Sequence, residues 1–468
     1  MKIEAGNAWT RLVEGTAPER EWLEALISVE ETQYRPGQWG PVHFEARRSL
    51  MNWTRREFPS GLVRRVMLGN RRRAEPFPME LVDARGAAPC RPDAGVDLAW
   101  LRDYQRGAVQ ALLARGRGVV KAPTASGKTE VGVGVVAALP TRWIFAVHRA
   151  DLMHQTAERY TRRTGDRDVG MIGDGVHQPG GRLTVATFQT LHAMLRDRRD
   201  LAAKRLVEGF GGLLVDEVHA QAADSFFDVS QACSGAYFRV GLSATPFDRG
   251  DWESLRVEGA LGPLVHEIAT DTLVELGLLA RPTIRMIPCP QTWPRDEGAD
   301  WRRVYERLVV ESDARNALVV HMAVRAAKPA LVFVDRIPHG KALERSLRAA
   351  GLGVGFVHGA HWTEARRAEI RRLVQGKQDV LICSGVFQEG IDIPELASVV
   401  VAGGKASVVA TLQRIGRGMR TSAGKSTFEV WDVLDRGQRW LERHATERRE
   451  TYEREGHAVL TDWPKEGP

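Results

Sequence analysis

The stretch Ala122-Pro-Thr-Ala-Ser-Gly-Lys-Thr129 constrains this chain more than any other. It follows a short apolar run at Val119 and Val120 and precedes a helical pattern that begins near Glu130. In that strand–loop–helix setting, small residues let backbone N–H groups wrap phosphates, and the helix N-terminus adds its partial positive charge. Read as a phosphate loop, Pro123, Thr124, Ala125, Ser126, Gly127, Lys128 and Thr129 form a nucleotide cradle in which Lys128 reaches the β- and γ-phosphate oxygens and Thr129 holds Mg2+. Ala122 stands where the general pattern has glycine.

Such a loop needs a magnesium carboxylate on a neighbouring strand and a group that orients water. Asp216-Glu-Val-His219 supplies both. It follows Leu213-Leu-Val, which places Asp216 at the carboxyl end of a buried strand, where open α/β sheets bind ligands. Asp216 then sits on the metal and Glu217 polarises the attacking water. Further along, Gln413-Arg-Ile-Gly-Arg-Gly-Met-Arg420 spaces Arg414, Arg417 and Arg420 three apart, on one face if the segment is helical. Such a cluster calls for an anion, and a nucleotide γ-phosphate makes Arg417 and Arg420 arginine fingers.

Hydrophobic patterning sets the scaffold. Gly118-Val-Val-Lys, Trp143-Ile-Phe-Ala-Val, Leu183-Thr-Val-Ala and Leu213-Leu-Val alternate with helical patterns between about 98 and 275, the mark of a parallel α/β sheet. Pro282 to Asp300, with prolines at 282, 288, 290 and 294, reads as a connection. A second series follows: Ala330-Leu-Val-Phe-Val, Val354-Gly-Phe-Val, Val380-Leu-Ile-Cys and Ser398-Val-Val-Val-Ala. The 468 residues have room for about three domains. The predicted division is a small α+β module at 1–95, a nucleotide-binding lobe at 96–285, a connection at 286–315, a second lobe at 316–435, and an exposed, charge-laced helix with a tail at 436–468.

Composition narrows the class. With 43% hydrophobic and 27% charged residues, a wholly disordered or membrane-embedded chain is excluded. No signal-peptide core or membrane-length apolar run is present, and the four scattered cysteines suggest neither zinc nor a disulfide framework, so a cytoplasmic location is expected. A net charge of +7 favours a polyanionic partner. Ten lysines against 56 arginines favour forked phosphate contacts. The densest basic stretch is Arg47 to Arg73, with nine arginines against one acid, and Trp39 and Trp53 flank or enter it.

In order, the motifs are Leu101-Arg-Asp-Tyr-Gln105, the loop, Val147-His-Arg-Ala-Asp-Leu152, Thr187-Phe-Gln189, Asp216–His219, Ser243-Ala-Thr-Pro246, Val332-Phe-Val-Asp335, Gly385-Val-Phe-Gln-Glu-Gly-Ile-Asp-Ile-Pro394 and the arginine motif. This series, from Leu101 to Arg420, resembles the superfamily 2 helicases and translocases. The resemblance implies two tandem RecA-like lobes, ATP with Mg2+, and hydrolysis that requires the lobes to close. By position, Gln105 recognises adenine, Gly390 and Asp392 touch the nucleotide, and Ser243, Thr245 and Gln413 couple nucleotide state to the lobe interface. Arg149, Thr187, Gln189, His358 and Ser384 lie toward the nucleic-acid backbone. Ala125 replaces a commoner glycine, which tightens the loop.

Within the superfamily the chain is most similar to the XPB/UvsW branch. The Leu-Arg-Asp-Tyr-Gln start, the compact lobes, and the ending Val430-Trp-Asp-Val-Leu-Asp435 with His444, Arg448, Tyr452 and Gly456, which looks like that branch's closing helix, carry the likeness. Phe58-Pro-Ser-Gly-Leu62 and Met79–Arg85 look like its small DNA-binding domain. The expectation is an ATP-dependent DNA helicase or branch-migrating translocase on forked or branched DNA. The alternatives are a duplex translocase of restriction type and a strand-annealing or structure-binding protein.

Overall fold

The computed structural model describes residues 1–463 apart from 38–39, 125, 198–199, 219–222, 248–249, 291–299, 359–362, 385–392, 394 and 406–426, with only the backbone described for 32–37, 40–44, 223, 363–364 and 366. It divides into two compact units. One comprises Met1–Ala122 and Ser126–Ile268, the other Pro123–Ala125 and Ala269–Pro468. No helix among the described residues is long and apolar enough to cross a membrane.

The first unit is built on an eight-stranded sheet in the order Val176–Gln178, Val169–Gly173, Leu183–Thr187, Trp143–Val147, Gly212–Asp216, Phe238–Ser243, Arg117–Lys121, Leu264–Glu267. All neighbours are parallel except the first pair. Its central strands are buried on both faces, which is why Trp143-Ile-Phe-Ala-Val and Gly212-Leu-Leu-Val-Asp read as unbroken apolar runs. Helix Lys128–Ala138 is buried along its length; Gly132 and Gly134 sit against side chains where a Cβ would crowd Phe145, Leu214 and Leu101.

Residues 1–83 add a four-stranded sheet, Glu57–Pro59, Trp9–Glu14, Lys2–Ala5, Glu80–Asp83, and a separate hairpin pairing Ser28–Gly37 with Gly40–Ser49. Among the described residues, the module shares its core with the first lobe. Ile3, Leu12, Leu23, Phe58, Leu62 and Val66 belong to one apolar cluster with Phe226, Trp252, Leu255 and Ala260 of the first lobe. Gly61 and Gly259 allow the close approach: a Cβ on Gly61 would overlap Glu258 O and lie 2.5 Å from Gly259 O. Arg65 closes the seam with two bonds to Glu258 (3.0 and 2.6 Å), and Arg48 lies over the Trp252 ring at 4.3 Å.

In the second unit seven strands pair in parallel in the order Val354–Val357, Val380–Cys383, Ala330–Phe333, Ser398–Val401, Thr427–Leu434, Arg281–Pro288, Val459–Leu460. Arg281–Pro288 corrects the boundary expected at 285. Its prolines are tolerated because strand Val459–Leu460 pairs only with Ile284 and Arg285, leaving both proline positions without a ladder partner on that side. Val430 to Leu434 lies in strand Thr427–Leu434 of the second sheet, and the closing helix expected from 436 onward is Arg439–Arg454. That helix is not simply exposed, since Leu441, Ala445, Arg448, Thr451 and Tyr452 are buried.

A buried histidine makes the second unit sensitive to acid. His339 is fully buried, its Nε2 donates to Asn316 Oδ1 at 2.9 Å, and Nδ1 has no hydrogen-bond partner among the described residues. Burial, with the nearby Arg315 charge, pushes the imidazole down to about 3. The unfolded chain, with an ordinary histidine near 6.5, therefore binds more protons between those values. His339 contributes stability above about 6.5 that is lost as pH falls, about 2 kcal/mol at pH 5. Urea unfolding at pH 7 and pH 5 should show this drop in the wild type and a smaller one in His339→Gln; equal drops would refute it.

Candidate active site

The loop strand Arg117–Lys121, the strand ending at Ser243 and the strand ending at Asp216 are successive neighbours, so their carboxyl ends converge. Ala122 N donates to Ser243 O at 2.8 Å, tying the loop to the Ser243 segment. Gly127, at φ +80°, caps the helix that begins at Lys128, and a Cβ there would overlap Gln105 Nε2. That conformation and contact explain the glycine.

Four side chains meet at the loop. Lys128 is 8% exposed; its Nζ lies 3.4 Å from Ala122 O and 3.2 Å from Glu217 Oε1. Thr129 Oγ1 donates to Asp216 Oδ2 at 3.4 Å, and Glu217 N donates to Asp216 Oδ1 at 2.9 Å. Burial, reinforced by the neighbouring Glu217 charge and opposed by Lys128, pushes the Asp216 carboxyl up to about 6. Glu217 itself has φ +50°, a conformation that costs a residue with a Cβ of order 1 kcal/mol and more.

The residues fit a nucleotide with its cation. Ser126 Oγ is buried without a hydrogen-bond partner among the described residues, as is Thr245 Oγ1. The pair Thr129 Oγ1 and Asp216 offers the oxygen donors that a hard cation such as Mg2+ takes. Gln105, 3% exposed, accepts from Arg102 N (3.0 Å) and donates to Ser126 O (2.9 Å), so in this structure its amide braces the loop. Tyr104, which sequence reasoning passed over, adds a bond from its hydroxyl to Ser126 O at 3.0 Å. Its place beside Gln105, at the start of helix Asp103–Arg115, was the available signal.

The residues expected toward nucleic acid group by unit. Thr187 ends, and Arg149 and Gln189 follow, the paired strands Trp143–Val147 and Leu183–Thr187. Gln189 Nε2 donates to His148 O at 3.0 Å, Thr187 Oγ1 to Thr190 Oγ1 at 2.8 Å, and Arg149 is forked onto Asp151 with two 2.9 Å bonds. In the second unit His358 and Ser384 follow the adjacent strands Val354–Val357 and Val380–Cys383. Ala125, His219, Gly390, Asp392, Gln413, Arg417 and Arg420 lie outside the described residues.

Two family models match the chain, one on each unit's sequence. The type III restriction enzyme res subunit family matches residues 99–248, and the helicase conserved C-terminal domain matches residues 313–422. The chain is a superfamily 2 helicase. Among this helicase's relatives, the DNA 3'-5' translocase XPB2 of Sulfurisphaera tokodaii is 26% identical over 357 residues, which cover 68% of this chain and 78% of that one. The ATP-dependent DNA helicase uvsW of Enterobacteria phage T4 is 25% identical over 354 residues, covering 71% and 68%. A fragment structure of a type I restriction HsdR subunit from Vibrio vulnificus YJ016 shares the helicase fold, with a TM-score of 0.57 at 18% identity over 77% of this chain and 68% of that one. The helicase is thus an ATP-dependent enzyme of two parallel-sheet lobes.

Proposed function

We propose that this helicase couples ATP hydrolysis to movement on DNA and remodels forked or branched DNA in repair, recombination or fork processing in the cytoplasm. The observation that carries the enzymatic reading is the cluster of Lys128, Thr129, Asp216 and Glu217 at the converging strand ends. The XPB2 and uvsW relatives, named for action on DNA, support the substrate class.

ATP with Mg2+ supplies the cleavable γ-phosphate and a cation that neutralises its charge. In the proposed cycle, Lys128 leaves Glu217 for the phosphates, and Thr129 with ionised Asp216 would hold the cation. Glu217, so released, accepts a proton from the attacking water. Arg417 and Arg420 complete the anion's neutralisation, with Gly390 and Asp392 beside it, while Ser243, Thr245 and Gln413 relay its presence. Gln105 braces the loop beneath the adenine it reads. Arg149, Thr187, Gln189, His358 and Ser384 take the DNA backbone.

The N-terminal module supplies charge for a fork. Of the nine arginines from Arg47 to Arg73, Arg47, Arg48, Arg65 and Arg73 are engaged within the protein. Arg64, Arg71 and the C-cap residue Arg72 are exposed, their side chains form no hydrogen bond or ion pair with the described residues, and they share a face of helix Val63–Arg71 with exposed Leu68. Replacing these three by Gln should weaken forked-DNA binding and reduce the slope of log affinity against log salt by up to about 3. An unchanged slope would remove the module from the DNA path.

The deciding assay compares unwinding of forked, R-loop and four-way substrates with ATP and with a non-hydrolysable analogue. ATP-dependent unwinding of at least one is expected. Absence of DNA-stimulated ATPase would sink the proposal. The res-subunit match favours one other reading, a duplex translocase, which triplex displacement without unwinding would select.

A further inference from the structure

Trp53 is left out of the core. Trp9, Trp22 and Trp252 pack in or against the apolar cluster that the N-terminal module shares with the first lobe, whereas Trp53 is 41% exposed. Its indole is nevertheless fixed. Nε1 donates to Glu24 Oε2 at 2.6 Å, so its one polar atom is taken and what faces water is ring carbon. The turn that carries it is held as well. Asn52 and Glu57 exchange backbone bonds of 2.8 and 3.0 Å, Asn52 Oδ1 accepts from Arg55 N at 3.1 Å, and Arg56 O accepts from Leu12 N at 2.8 Å. Arg56 sits at φ +56°, a conformation that costs a residue with a Cβ and persists where its surroundings over-determine it.

Cations stand beside the indole. Ser28 Oγ donates to Glu24 O at 2.6 Å, and Arg47 donates Nε to Ser28 Oγ at 2.7 Å. Trp53 and Arg47 are thus tethered to the same residue, Glu24, one directly and the other through Ser28. Arg47 is exposed, and its two Nη groups form no hydrogen bond or ion pair with the described residues. Arg55, two positions from Trp53, is exposed and its side chain likewise has no such partner among them. Packing alone does not call for a tryptophan on a solvent-facing turn, because the stabilisation from that ring comes from burying it. A flat carbon surface edged by guanidiniums instead matches an unpaired nucleotide, whose base has a π-face to stack and whose phosphates carry the charge to meet arginine. Within a duplex the bases are already stacked on one another.

We propose that Trp53, with Arg47 and Arg55, is a stacking platform for an unpaired base of single-stranded DNA, the flanking phosphates pairing with the two guanidiniums. This rests on the reading of the helicase as acting on DNA. It adds that the N-terminal module meets a separated strand, whereas the arginines of helix Val63–Arg71 supply charge to any DNA.

Fluorescence anisotropy of a labelled oligo(dT) strand, titrated with the whole chain, tests it. Trp53→Ala should weaken binding about tenfold, and Trp53→Phe should keep most of the affinity because a phenyl ring still stacks. On an abasic strand of the same length Trp53→Ala should match the wild type, since no base is there to stack. Arg47→Gln and Arg55→Gln should each lower the slope of log affinity against log salt by about 0.7; an unchanged slope would take that arginine out of the site. Thermal unfolding of the Trp53 variants should stay within a few degrees of the wild type. A wild type that binds neither these strands nor forks would remove the DNA reading, and the platform with it. Tight wild-type binding left unchanged by Trp53→Ala would remove the platform alone and leave the exposed indole to a protein partner. An equal loss on base-bearing and abasic strands, or no rescue by Phe, would show that the indole only holds the turn and would overturn the platform as well.

Discussion

Glu217→Gln is expected to bind ATP more tightly than the wild type while hydrolysing it on the order of 100- to 1,000-fold more slowly. The loss of turnover follows from removing the carboxylate that accepts the water's proton. The gain in binding follows from a contact that only the structure shows. Glu217 Oε1 lies 3.2 Å from Lys128 Nζ, and both side chains are largely shielded from solvent. The phosphates must therefore compete with a carboxylate for the ammonium, and a neutral amide competes less well. A gain of about three- to tenfold corresponds to about 1 kcal/mol, modest for a shielded charge pair. Lys128→Ala should behave differently, losing affinity and turnover together because the ammonium serves both states. Fluorescent-nucleotide titration beside steady-state ATPase distinguishes them. Wild-type turnover in Glu217→Gln would sink the base assignment, whereas lost turnover with unchanged affinity would show that the Lys128 pair is released at no cost.

What the sequence disclosed depends on whether the signal was local. All eight strands read from apolar runs are present, because a strand buried on both faces must be apolar at every position. Phe238–Ser243 escaped notice although it separates the two strands that carry the site. Its second residue is Arg239, which interrupts the run yet is fully buried, donating to the carbonyls of Ser230, Cys233, Ala236 and Ala260. Burial pushes that guanidinium down to about 10. Single-residue patterning cannot anticipate a cation compensated by four carbonyls from two other segments. The same blindness covers Arg448, read as part of a solvated helix, whose partner Asp432 lies in a strand, and Arg315, whose partner Asp435 is 120 residues away. Within the site, Lys128, Thr129, Asp216 and Glu217 come together because strand–loop–helix grammar and sheet order are enough to place them. Their present partners, including Gln105 on the loop carbonyl, are tertiary facts.

The separation of residues 1–95 from the first lobe was the least legible feature, and Gly61→Ala is expected to expose it. Ser60, Gly61 and Leu62 are buried against helix Asp251–Leu261, and a single added methyl has nowhere to go but into the carbonyls of Glu258 and Gly259. Glu258 O accepts from Gly262 N at 2.7 Å where that helix ends and cannot retreat without losing that bond, so the two surfaces must part. Overpacking of this kind costs about 3 kcal/mol. The penalty falls on a seam that also holds Arg65 to Glu258 and Arg48 over Trp252. The expected result is a lowered first unfolding transition and faster proteolysis between residues 84 and 96. Gly15→Ala, where the nearest atom to a new Cβ is 3.5 Å away, should show neither. Because Lys128, Asp216 and Glu217 are carried by other elements, Gly61→Ala should keep its nucleotide affinity while losing stimulation by forked DNA, since the exposed arginines of helix Val63–Arg71 no longer hold a fixed register to the lobe. Full fork stimulation in a variant that has demonstrably lost the seam would mean that the module's arginines act as a tethered charge and that rigid docking serves stability alone.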